Sequence, residues 1–243
     1  MTPRLFCPLP LSPGAELALP DEAAHHAVRV LRLRDGDSLT LFSGDGSEYK
    51  AQIVRVASRA VSVRLLERRM VERESPLKIT LVQALIAAER MDYVVQKAVE
   101  LGAFAIVPVA TARGVTRLDG LRAERRLEHW RHIVIAACEQ CGRNRLARID
   151  PPGELREWLQ RSSHAHTRLL LAPDASLTLG RLRVPEGTIE LLIGPEGGLA
   201  PEERSQALAA GFQAVRLGPR TLRTETAGPA VLAAIAALWG DWR

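Results

Sequence analysis

The residues best suited to chemistry sit in two glycine-bearing stretches near the end of the chain. Residues 189–200 read Ile-Glu-Leu-Leu-Ile-Gly-Pro-Glu-Gly-Gly-Leu-Ala, a short apolar run opening into a Gly-Pro-Glu-Gly-Gly loop. Gly194, Gly197 and Gly198 permit positive φ and close backbone approach, so the amides of this loop can reach a ligand directly. Residues 214–227 repeat the plan, with Gly218-Pro219-Arg220-Thr221-Leu222-Arg223-Thr224-Glu225-Thr226 as the loop. The α/β region opens on no Gly-x-Gly-x-x-Gly, and the chain has neither a Gly-Lys-Ser/Thr phosphate loop nor a Gly-x-Ser-x-Gly elbow. Backbone-lined loops without a lysine suit an adenosine-type ligand held by amides and carbonyls better than a triphosphate.

Two further clusters invite a reading. Cys138-Glu139-Gln140-Cys141 has the gap of a zinc or redox pair, with His129 and His132 upstream. On one helix, at roughly 100° per residue, the histidines and cysteines fall on largely opposite faces, which argues against a metal site. Next comes Cys141-Gly142-Arg143-Asn144-Arg145. The arginines can fork onto phosphate and the asparagine can read a base edge. The same residues also fit a solvated helix end whose arginines oppose the dipole.

The elements that must hold these groups divide into two styles. Pro20-Asp21 opens a short helical pattern through His25-His26 to Leu31, with Asp21 as a candidate N-cap. Three alternating segments follow, at 38–42, 49–56 and 60–66, separated by turn signals at 35–36, 44–46 and 57–59. Short strands in quick succession imply an antiparallel sheet or small barrel, which serves either RNA binding or a structural purpose. The charged stretch 68–76, ending in Pro76, is the candidate linker.

From Lys78 the pattern becomes strand–helix alternation. Strands are expected at 79–85, 105–109, 168–172, 189–193 and 214–217, with helices at 90–101, 122–140, 154–160, from Pro201 and from Ala227. Such alternation predicts a largely parallel sheet covered on both faces, with the two glycine loops on one edge. Pro201 suits the first helical position, and Glu202 and Glu203 complement the helix dipole.

Composition narrows the class. With 243 residues there is room for one large domain or two modest ones. No apolar run is long enough to span a bilayer and the N-terminus lacks a signal-peptide pattern, so a cytoplasmic protein is expected. Three cysteines are too few and odd in number for a disulfide framework, which fits a reducing compartment. The net charge of +5, carried mostly by arginine, permits a nucleic-acid partner and equally fits a genomic composition bias.

Five motifs in order resemble one family over essentially the whole chain. They are His25-His26-Ala27-Val28-Arg29-Val30-Leu31-Arg32, Gln96-Lys97-Ala98-Val99-Glu100-Leu101-Gly102 and Glu139-Gln140-Cys141-Gly142-Arg143. Ile193-Gly194-Pro195-Glu196-Gly197-Gly198 and the stretch from Leu217 to Ala227 complete the set. The chain is identified as similar to the RsmE family of ribosomal RNA methyltransferases, within the trefoil-knotted SPOUT superfamily.

The resemblance implies a PUA-like β-barrel RNA-binding domain over 1–70 and a knotted α/β methyltransferase domain over 77–243. It implies S-adenosyl-L-methionine as cofactor, no metal, and methylation of N3 of one uridine in the decoding region of 16S ribosomal RNA in the small subunit. It also implies a homodimer, each site completed by the partner. By position, the cofactor loops would use Leu171, Ala172 and Pro173, then Ile193, Gly194, Pro195, Glu196, Gly197 and Gly198, then Leu217, Gly218, Arg220, Thr221 and Leu222. RNA would meet Arg4, Arg29, Arg32, Arg143 and Asn144.

Uridine N3 becomes a nucleophile only on losing its proton, so the implied reaction needs in-line placement and stabilisation of negative charge on the base carbonyls. Arg223 is nominated for that charge, and Glu225 for the proton, with Glu225 as a simple helix-end carboxylate the competing role. The base must leave any stack, which favours a single-stranded or loop target.

Three departures from the family pattern stand out. Ile86-Ala87-Ala88-Glu89-Arg90 lacks the expected Pro-Lys-Gly turn, and Thr111-Ala112-Arg113-Gly114 replaces a Glu-Arg-Ser run. Ala200 stands where a Ser or Thr cap is expected, a loss of about 1 kcal/mol unless compensated. The rival readings are an RNA-binding assembly factor that keeps the pocket without turnover, and a methyltransferase of the same fold acting on transfer RNA or on ribose.

Overall fold

The computed structural model describes residues 2–57 and 60–242, so Ser58 and Arg59 of the expected third turn lie outside the described residues. The chain forms two compact units, Met1–Glu74 with Cys138–Leu146, and Ser75–Ala137 with Ala147–Arg243.

In the first unit, β1 (Arg4–Phe6), β2 (Glu16–Ala18), β3 (Ser38–Phe42), β4 (Ser47–Val56) and β5 (Val61–Met70) form one sheet in the order β1-β3-β4-β5-β2. Alternation drives β4 and β5: Tyr49, Ala51 and Ile53 point inward against Val61, Val63 and Leu65. The sheet is mixed where antiparallel pairing was expected, because β1 lies parallel to β3. Three-residue strands such as β1 and β2 carry no readable period.

The segment expected as one helix is α1 (Asp21–His25) continued by a π-helical turn, His26–Val30. Pro20 holds the N-cap position and Asp21 is the first helical residue, where its charge still complements the dipole. The expected linker begins inside β5, which runs on to Met70.

The second unit contains β6 (Lys78–Ala84), α2 (Ala88–Glu100), β7 (Ala105–Ala110), α3 (Gly120–Cys141), β8 (Arg148–Ile149), β9 (Gly153–Glu154) and α4 (Leu155–Leu159). It continues with β10 (Thr167–Leu171), β11 (Thr188–Ile193), α5 (Pro201–Ala209), β12 (Gln213–Val215) and α6 (Thr224–Trp239). The last residues of α3, from Cys138, belong to the first unit. The expected α/β class is found: the strand order is β12-β10-β11-β6-β7-β8, with β9 also on β7 and every pairing parallel. Pro108 is tolerated inside β7 because β8 pairs Ala105 and Ile106 while β9 pairs Val109 and Ala110, so no ladder bond is asked of the missing N–H.

The sheet is covered on both faces. Leu155, Leu159, Ala207 and Phe212 pack against Val82, Val107, Leu170 and Leu192 on one face. On the other, α6 lies beside α2 and brings Gly228 against Leu81. Fully burying such leucines and valines contributes roughly 1.5–3 kcal/mol each.

Register sets up the site. Leu171, the last residue of β10, pairs with Ile193, the last of β11, and with Val215, the last of β12. Three loops therefore leave one sheet edge at the same level, the edge where open α/β sheets take ligands.

Candidate cofactor site

The three loops close around a cavity of about 510 Å³, within the usual span of small-molecule sites. Leu171, Ala172 and Pro173 come from the loop after β10, and Ile193, Gly194, Pro195, Glu196 and Gly198 from the loop after β11. The loop after β12 supplies Leu217, Gly218, Arg220, Thr221, Leu222 and Arg223. Of the residues expected in the cofactor loops, Gly197 alone is off the wall; its carbonyl accepts a hydrogen bond from Arg113 Nη1 at 3.1 Å.

Two glycines are required by geometry. Gly198 has φ +68°, and a Cβ on Gly194 would stand 3.3 Å from the Leu199 amide nitrogen, tighter than a side chain readily accepts. The following helix starts with Pro201 as expected. The missing cap hydroxyl at Ala200 is offset by Glu203, whose Oε2 accepts the Ala200 N–H at 3.0 Å and whose Oε1 accepts the Ala112 N–H at 2.7 Å.

Polar wall residues that sequence reasoning missed are Arg113, Asp174, Arg204, Arg216 and Thr224. Arg204 Nη1 donates to Asp174 Oδ2 at 2.6 Å, and that hydrogen bond holds the Asp174 carboxyl below its ordinary range. Arg216 Nε is buried with no hydrogen-bond partner. The departure at 111–114 gave a signal for Arg113, since an arginine remained in a loop on the ligand edge; the others had none in local spacing.

Arg223 is exposed at the cavity and occupies the N-cap of α6. That helix begins at Thr224, three residues before the expected start at Ala227. Glu225 therefore lies in its first turn and does not line the cavity. Its Oε1 is 3.7 Å from Arg90 Nε, while Oε2 is buried without a hydrogen-bond partner. Arg90 also donates to Glu196 Oε1 at 3.1 Å, so the segment that departs from the family turn still touches the cofactor loop.

The RNA candidates separate into two kinds. Arg29 and Arg32 are exposed, Arg32 with φ +56°. Arg143 and Asn144 are only 4% and 2% exposed. Arg143 forks onto the Glu74 carboxylate, with Nε at 3.0 Å. Burial opposes its charge, yet Glu74 outweighs burial and the pKa is raised. Asn144 Nδ2 donates to the Val71 carbonyl at 3.0 Å and its Oδ1 accepts from Arg4 Nη2 at 2.6 Å. Arg4 Nη1 pairs with Glu48 at 2.7 Å. These three side chains clasp the first unit internally, which the sequence could not show because Glu48 and Glu74 are remote along the chain. The neighbouring Glu139 accepts the Phe6 N–H at 2.9 Å; burial raises its pKa despite that bond and nearby His26 and Arg4.

Among the described residues, no group of three or more His, Cys, Asp or Glu is placed to hold a metal ion. His129 instead meets Asp92 at 2.8 Å, and Cys138 is buried. No described helix is long and apolar enough to cross a membrane.

Comparison with known proteins settles the family. A model of an RNA methyltransferase PUA domain matches residues 19–66, and a model of an RNA methyltransferase domain matches residues 73–236. Ribosomal RNA small subunit methyltransferase E of Bacillus subtilis is 33% identical, with 88% of this chain and 87% of that protein covered. The chain belongs to this family. A Neisseria gonorrhoeae member crystallised with S-adenosyl methionine is 41% identical, covers all of both chains and superposes with a TM-score of 0.94. A Legionella pneumophila putative methyltransferase in complex with bound SAM is also 41% identical, with a TM-score of 0.96 over 99% of each chain. Membership makes this protein an RNA methyltransferase, and the cavity is the site to test for its cofactor.

The residues present fit that cofactor. Leu170, Leu171, Ile193, Leu199 and Leu222 supply apolar walls for a purine, while Gly194, Gly198 and Gly218 bring bare backbone to the cavity wall.

Proposed function

We propose that this protein transfers the methyl group of S-adenosyl-L-methionine to N3 of a uridine in the decoding region of 16S ribosomal RNA in the small subunit. The observation that carries the reading is the cavity: three loops, spread across the last third of the chain, converge on one sheet edge and place Arg223 and Arg220 at its opening. The cofactor supplies an electrophilic methyl on a sulfonium; the rest is the protein's task.

The loop backbones orient the ligand and exclude water from its apolar part. Arg223 meets the uracil and draws negative charge from its carbonyl oxygens as the N3 proton leaves, the preorganised electrostatics that dominate many such steps. The Glu225 carboxylate, in the first turn of the helix that Arg223 caps, takes that proton. Residues 1–70 form the PUA-like RNA-binding domain, and Arg29 and Arg32 are its phosphate contacts. Residues 77–243 form the methyltransferase domain with the trefoil knot. The protein works in the cytoplasm as a homodimer without metal. Supporting this division, the PUA model ends at residue 66 and the methyltransferase model begins at 73.

Transfer of labelled methyl to small subunits lacking the modification, beside naked 16S RNA, tests the proposal. Nucleoside analysis is expected to show 3-methyluridine on one of these RNAs. Label in another nucleoside refutes the substrate, and no label on either RNA despite cofactor binding refutes the reaction in favour of the assembly-factor role.

A further inference from the structure

Gln83 lies in β6, fully buried, in a strand otherwise dominated by apolar residues at its inner positions. An amide there gives up its hydration and needs partners. Its register neighbour is Ile193, directly before the glycine loop. Gln83 Nε2 donates to Thr224 Oγ1 at 3.0 Å and to the Ala84 carbonyl at 3.2 Å. Thr224 Oγ1 donates in turn to the Gly194 carbonyl at 2.7 Å. The hydroxyl accepts from the sheet and gives its single proton to the loop, so the relay has one direction.

Two independent features match the amide. Gly228, one helical turn after Thr224, leaves room for it: a Cβ there would stand 3.3 Å from Gln83 Oε1. Oε1 itself is buried with no partner. A side chain kept only for packing needs neither the opposing glycine nor an orphan acceptor, and a leucine would fill the space without either.

We propose that Gln83 is a positioning residue for methyl transfer: through Thr224 it locks the Gly194 carbonyl of the cofactor loop to the helix start that carries Arg223. Gly194, Arg223 and Thr224 line the cavity and Gln83 does not, so Gln83 acts through them. The relay fixes the distance between the part of the site that holds the cofactor and the part that meets the base. This rests on reading the cavity as the S-adenosyl-L-methionine site.

The test uses full-length protein carrying Gln83→Leu, Thr224→Val, Thr224→Ser or the Gln83→Leu/Thr224→Val pair. Cofactor affinity is measured by calorimetry, kcat and KM by methyl transfer, and folding by thermal melting. Gln83→Leu and Thr224→Val are each expected to lower kcat/KM by about tenfold or more with the fold retained. Thr224→Ser, which keeps the hydroxyl, restores most of what valine removes. The pair falls no further than the worse single variant, because both changes cut the same chain. Should Thr224→Val fail to fold, Gln83→Leu decides. Parental cofactor affinity and kcat/KM in the folded variants overturn the proposal, as does a serine variant as impaired as the valine one. A parent protein that binds no S-adenosyl-L-methionine marks failure of the proposed function itself; binding that is intact in the parent and unchanged in every variant, with turnover unchanged, marks failure of the relay alone.

Discussion

In the first unit, Arg4 and Arg143 are enclosed and matched to carboxylates that the chain itself supplies, Glu48 and Glu74. In the second, Arg220 and Arg223 stand exposed beside a cavity whose walls are mostly backbone and apolar side chains. The same fork of donors does different work according to whether an internal acceptor has been provided. Where it has, the arginine organises the fold. Where it has not, the donors remain for a ligand.

That contrast predicts opposite consequences for stability and activity. Arg143→Ala leaves Glu74 without its buried partner and is expected to cost about 3–5 kcal/mol of stability, read as the free energy of unfolding in urea. A loss below roughly 0.5 kcal/mol, the range of ordinary surface changes, would place Arg143 with the ligand-facing arginines instead.

On the cavity side, Glu225→Gln keeps shape and removes the charge that is proposed to accept a proton. A fall in kcat of about a hundredfold or more, with cofactor affinity unchanged, is expected from rapid-quench methyl transfer. Unchanged kcat would reduce Glu225 to a helix-end carboxylate facing Arg90.

The smallest effect concerns Glu48. Burial pushes its pKa up, but hydrogen bonds and charge from Arg73 and Arg4 outweigh burial and hold it below the ordinary glutamate value. The unfolded chain then binds the proton more readily, so the stabilisation is present above the unfolded value and is lost as pH falls through the folded one. Melting curves between neutral and strongly acid pH are expected to show a smaller acid loss of stability in Glu48→Gln than in the parent protein. A parallel pH dependence in the variant would show that the clasp draws nothing from this ionisation.

Much of the second unit was legible because its signals are local. The apolar run before Gly194, Pro201 at a helix start and the second glycine loop each report on a few neighbouring residues, and parallel register then gathers the loops. Two things there escaped: β8 and β9, each two residues long, show no period, and α6 starts earlier than expected because Arg223-Thr224-Glu225-Thr226 reads as loop until Thr224 is seen to spend its hydroxyl on Gly194. The first unit hid more. β1 and β2 are too short to show a period, and the burial of Arg143 depends on Glu74, which no spacing rule connects to it. Gln83 went unremarked inside the expected strand 79–85, because its role depends on the helix opposite.

The most direct test of the account compares Arg223→Ala with the parent protein in two assays on the same preparation. S-adenosyl-L-methionine affinity by calorimetry is expected to stay within about threefold, while single-turnover methyl transfer to unmodified small subunits falls by about a hundredfold, the usual loss on removing one charge-stabilising donor. Methyl transfer at the parental rate would contradict the assignment of Arg223 to the reacting base. Equal loss of binding and transfer would make it a cofactor residue instead.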